Sequence, residues 1–134
     1  MDCQCLIDWI TFPIALLGFV ITYVQLKRNV KEKSISNVIE IKKQLKEYDI
    51  IFSRLLLNND NELPGELVDI YSYLGLFEVI NIMIKNKLLS KEEYKTFFQY
   101  RIIQIFQNNQ IREIIFQTPS DWKDLIELNK LINL

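Results

Sequence analysis

Histidine is absent from all 134 residues. That removes Ser-His-Asp and Cys-His catalysis, imidazole metal ligands and the usual switch near neutral pH. Only three glycines and three prolines are present, too few for an all-β chain with many tight turns. The two cysteines, Cys3 and Cys5, sit together near the N-terminus. With no second ligand pair they make no zinc site. They read as incidental thiols, or as intermolecular disulfides if that end faces an oxidising compartment. Excess charge is lacking too: 16 basic residues meet 17 acidic ones, so there is no overall nucleic-acid signature. No Gly-rich phosphate loop, metal-ligand cluster or nucleophile beside a base occurs, so the expectation is a chain that is not an enzyme and needs no cofactor or metal.

What is present is apolar and helical. Apolar residues make up 49% and charged residues 25%, a mixture that suits one helical domain joined to one greasy segment. That segment is Trp9–Leu26, which contains no charge. As a helix, 18 residues at 1.5 Å each cover about 27 Å, close to the hydrocarbon thickness of a bilayer. Trp9 and Tyr23 lie near its ends, where amphipathic rings are favoured, and Pro13 falls in the first turn, where a missing N–H costs little. A signal peptide carries its positive charge before the apolar run. Here Asp2 and Asp8 precede it, and Lys27, Arg28, Lys31 and Lys33 follow. The expectation is a single-pass span at 9–26, a short extracytoplasmic leader at 1–8 and a cytoplasmic helical domain at 27–134. The basic cluster would sit at the anionic headgroups of the cytoplasmic membrane surface.

Thr11, Ala15, Gly18, Thr22 and Gln25 recur at steps of four and three, and the stripe continues to Asn29. It is small and weakly polar, whereas the rest of the span is bulky. Lipid supplies no hydrophobic drive between helices, so small residues that allow close backbone approach mark helix–helix contact. The stripe reads as an interface between identical copies or as the lining of a pore they form.

Beyond the span the pattern remains helical. Val38, Ile41, Leu45, Tyr48, Phe52 and Leu55 form a seam, and no Gly or Pro interrupts residues 19–63. The expectation there is one long helix, broken if anywhere near Lys33 and Ser34. Asn58–Gly65 is a loop. Residues 66–87 are apolar on nearly every side and read as a central buried helix, with a second span as the alternative that Asp69, Glu78 and Asn81 count against. Ser90 and Glu93 make a capping box. Apolar residues from Tyr94 to Phe106 continue that helix, Asn108–Gln110 bend it, and Thr118 with Pro119 opens the last one. The fold expected is all-α: one N-terminal transmembrane helix followed by a four- or five-helix bundle. Glu78 and Arg101 fall on apolar faces of neighbouring helices, at similar distances from the turn at Leu88 and Leu89. They are expected to pair, since a lone buried charge is too costly. The pair reads as a structural ion pair, with a nucleotide or effector site as the alternative.

Residues 73–106 and 121–132 carry a loose pattern, with Phe77 and Glu78 in one helix and Trp122 and Leu125 near the end. In this the chain resembles small bacterial single-pass proteins with a helical cytoplasmic domain. Its layout is similar to that of the membrane accessory proteins of type VI-B CRISPR systems. The resemblance implies a homo-oligomer that forms a membrane pore and slows phage growth by depolarising the host. Some members carry an Arg-to-His ribonuclease motif, and a chain without histidine departs from that pattern. The other function open to the sequence is a membrane-anchored module that recruits a cytoplasmic protein partner.

Overall fold

A computed structural model describes the backbone of residues 3–57 and 61–132, and side chains from residue 17 onward. Among the described residues the chain is wholly helical: α1 (Cys3–Lys46), α2 (Asp49–Leu56), α3 (Leu67–Lys85), α4 (Lys91–Phe97), α5 (Gln99–Gln107), α6 (Asn109–Gln117) and α7 (Lys123–Ile132). The helices are more numerous and shorter than the periodicity suggests. Two compact units divide the chain, Met1–Ile35 and Ser36–Leu134.

In the first unit every described residue from Leu17 to Lys33 is exposed. No packed core covers its large apolar side chains. Phe19 is 78% exposed, and Leu17, Val20, Ile21, Tyr23, Val24, Leu26 and Val30 are each at least half exposed. Helix α1 has no break near Lys33 and Ser34.

The second unit holds the core. Val38, Ile41 and Leu45 of α1 are buried, as the seam predicts, but the helix does not run on to Leu55. It ends at Lys46 in a tightened turn, with Tyr48 N–H donating to the Leu45 carbonyl at 3.0 Å. Tyr48 then packs its ring against Tyr73, centroids 5.9 Å apart. No glycine or proline marks this corner, so its cause is tertiary. In α3, Ile70, Tyr73, Leu74, Phe77 and Ile80 are fully enclosed, and such burial stabilises by about 1.5–3 kcal/mol for each large apolar side chain. Helix α3 is the one helix among the described residues long and apolar enough to cross a membrane, with mean hydropathy 1.6. Its partner is α7, laid along it.

Three helix ends show how local sequence sets the chain's course. After α3, Lys87 takes a left-handed φ of 59°, and the Leu88 N–H reaches back to the Met83 carbonyl at 2.8 Å. This closes α3 with a Schellman turn. Ser90 and Glu93 cap α4 reciprocally, as expected. Asn108 interrupts the next helix as expected: its side chain accepts from Ile111 N–H at 3.0 Å to start α6, and donates to the Glu62 carbonyl at 3.0 Å. Thr118 differs from expectation. It ends α6 and accepts from Asp121 N–H at 3.0 Å, so residues 118–122 form turns and α7 begins only at Lys123.

Candidate functional site

The polar stripe lies on the first unit. Gly18, Thr22, Gln25 and Asn29 are exposed, spaced so that one helical face carries them all. The side chains of Thr11 and Ala15 lie outside the described residues. Thr22 donates its hydroxyl to the Gly18 carbonyl at 2.8 Å. That bond satisfies the hydroxyl within its own helix, which is how threonine is tolerated in lipid. A Cβ placed on Gly18 would meet nothing within 4 Å. The basic cluster Lys27, Arg28, Lys31 and Lys33 is exposed as well, and Arg28 pairs with Glu32 one turn on at 3.1 Å.

Glu78 and Arg101 are not brought together. Phe98 separates α4 from α5, so Arg101 sits in the first turn of a new helix and counting residues from the turn at 88 and 89 no longer locates it. Arg101 Nη2 instead pairs with Asp49 of α2 at 3.1 Å, and its guanidinium lies 4.0 Å over the Phe52 ring. Its Nη1 is buried beside the Tyr73 hydroxyl, which is buried too. Burial holds the Tyr73 hydroxyl above its ordinary pKa, and the Arg101 charge pulls the other way.

Glu78 turns to α7. Its Oε1 accepts the Leu125 N–H at 2.5 Å, so a carboxylate from α3 caps the positive end of α7. Glu78 and Leu125 thus meet across 47 positions of sequence. Phe77 is fully buried next to Glu78, and Trp122 lies against the Tyr71 ring at 5.9 Å. One turn further along α3, Asn81 donates to Asp124 at 2.7 Å and to Glu127 at 3.0 Å. Lys85 bonds the same two carboxylates at 2.6 and 2.7 Å. Desolvation pushes the Glu78 carboxyl above its ordinary value, while Lys85 holds Asp124 and Glu127 below theirs. Lys85 and Asn81 thus hold Asp124 and Glu127 between them, while Glu78 is held by the Leu125 N–H. Among the described residues no group of His, Cys, Asp or Glu is arranged to hold a metal ion.

Sequence reasoning missed Asp49, Lys85, Asp124 and Glu127 as partners. Each lies on a polar face, where charge looks merely solvated, and only the helix pairing reveals them. The Glu78–Leu125 contact was missed as well, because spacing alone does not say that the start of α7 lies beside α3. Compared with protein-family models, curated proteins and solved structures, the chain matches none.

Proposed function

We propose that this chain is an oligomeric, single-pass inner-membrane protein that opens or depolarises the bilayer, an effector of anti-phage defence, with its leader outside and its helical domain cytoplasmic. The observation that carries the reading is the bare helix of the first unit. From Leu17 to Leu26 it exposes apolar side chains on every side, with one small, polar stripe through Gly18, Thr22 and Gln25. Such a helix needs lipid around its bulky sides and copies of itself along the stripe. Lys27, Arg28, Lys31 and Lys33 then fix the cytoplasmic end. The reading assigns the chain no catalytic step.

A second reading has its own support. Val68, Tyr71, Val79 and Ile82 leave a side of α3 exposed and apolar, 72% exposed at Val68. A tethered module that recruits a cytoplasmic protein would use such a face. The protein mass of the full-length chain in mild detergent, by light scattering corrected for detergent, separates the two. A discrete ring-sized assembly is expected. A monomer would remove the pore and leave the tether.

A further inference from the structure

We propose that the open side of α3 seats a second copy of this chain, docked antiparallel about a two-fold axis level with Phe77 and independent of the contact along α1. Ile70, Tyr73, Leu74, Phe77 and Ile80 turn one side of α3 into the core. On the other side Val68, Ser72, Gly75, Val79 and Ile82 follow one another at steps of four and three, so they share a face. Val68 is 72% exposed, and Val79 and Ile82 are nearly half exposed. Tyr71 flanks the face, its ring against Trp122 at 5.9 Å.

Single exposed apolar residues are ordinary on a protein surface. Three features set this face apart. It is continuous, running about 21 Å along the helix from Val68 to Ile82. Gly75 sits in mid-helix, where glycine weakens the helix, yet a Cβ there would meet nothing within 4 Å. The single chain has no need of that glycine, whereas close approach of another helix does. Ser72 donates its hydroxyl to the Val68 carbonyl at 2.9 Å, so it asks nothing of a partner.

The occupant follows from how the face is arranged. Its N-terminal half is small, with Ser72 and Gly75, and its C-terminal half is large, with Val79 and Ile82. An antiparallel copy sets Gly75 against Val79 and Ser72 against Ile82. Large then meets small at both ends, which is the match that a two-fold contact demands of a single patch and that close packing favours. Charge repeats the pattern. Glu66 and Asp69 at the start of α3, and Lys87 just past its end, are exposed and have no ion pair among the described residues. The same register brings Asp69 of each copy close to Lys87 of the other, and it sets the two helix dipoles in opposition. A parallel copy would lay like charge beside like charge. Neither a foreign protein nor a lipid surface calls for this two-fold match.

The test is disulfide trapping with diamide in cells that produce two forms of the full-length chain. One carries Ser72→Cys, and the other, with a mass tag, carries Ile82→Cys, both alongside Cys3→Ser and Cys5→Ser. Each chain then holds one cysteine, so every disulfide joins two copies. In the antiparallel register position 72 meets position 82, whereas two positions 72 stand about 15 Å apart. Oxidation should give the mixed dimer, tagged with untagged, and little of either like-with-like dimer. Asp69→Lys should cut the mixed yield severalfold, and Lys87→Glu added to the same chains should restore it. Like-with-like dimers in equal or greater amount overturn the register and with it the proposal. No dimer at all overturns it too, and gives the face to lipid or to another protein. Trapping in Gly18→Leu chains separates this contact from the one along α1. Mixed dimers there sustain the α3 contact even when assembly along α1 is lost, and a ring-sized mass without mixed dimers sustains α1 and defeats α3.

Discussion

Glu78 illustrates how a charge in an apolar helix is accommodated without an opposite charge. Its carboxylate meets a backbone N–H at the start of another helix instead of a guanidinium. The arrangement predicts a difference between two substitutions. Glu78→Ala removes the acceptor and leaves α7 uncapped, which should cost about 1 kcal/mol, within the 0.5–2 kcal/mol range of such caps. Glu78→Gln keeps an oxygen in place and relieves repulsion from Asp124, so it should melt close to the parent. Equal losses in the two variants, measured by thermal denaturation, would mean that the carboxylate's charge and not its hydrogen bond is what matters. Arg101 follows the same logic in reverse. Aromatic stacking on Phe52, one carboxylate and the neighbouring Tyr73 hydroxyl hold it.

At the scale of the element, α1 and α3 present complementary cases. Both are rich in large apolar residues. Helix α3 encloses one side against its neighbours, chiefly α7. The described apolar stretch of α1 from Leu17 to Leu26 encloses none of its residues. Glycine 18 makes the difference testable. A Cβ there meets nothing within 4 Å among the described residues, so the helix has room for the first carbon of a leucine side chain. Leucine is also the better helix former by nearly 1 kcal/mol. Any loss of assembly in Gly18→Leu therefore reports contact between copies. Oligomer mass should collapse while the melting of the helical domain stays unchanged. An unaltered mass would place the interface elsewhere.

For the whole molecule, the network between α3 and α7 ties stability to pH. Lys85 holds Asp124 and Glu127 below their ordinary pKa. The unfolded chain therefore takes up protons on these two groups before the folded chain does. Their contribution is complete above the ordinary carboxylate range and is lost as pH falls through the lowered folded values. Glu78 has the opposite sign, since burial raises its pKa. Between its ordinary and its raised value, acidification favours the folded chain. The melting temperature should thus hold or rise slightly as pH first drops from neutral, then fall at lower pH. Lys85→Met should flatten the late fall, and Glu78→Gln should remove the early gain. A late fall of equal size in Lys85→Met would show that other carboxylates govern acid unfolding.

Much of this was legible in the chain alone. The scarcity of glycine and proline and the periods of three and four point to helices, and every element among the described residues is one. The Ser90 and Glu93 cap and the Asn108 break are local hydrogen bonds, written within four residues, and they form as read. The buried positions Val38, Ile41, Leu45, Ile102, Ile105, Leu125 and Leu128 follow from spacing, because a helix turns by the same angle wherever it sits. Tertiary structure alone decided the corner at Glu47 and Tyr48, the split of α4 from α5 at Phe98, and the partners of Glu78 and Arg101. Those outcomes depend on which helices lie side by side. Pairing is set by the fit of faces distant in sequence, and one charge can be satisfied equally well by a carboxylate, a ring or the end of another helix. Local pattern determines the helices and their buried faces; only packing determines what each buried charge finds there.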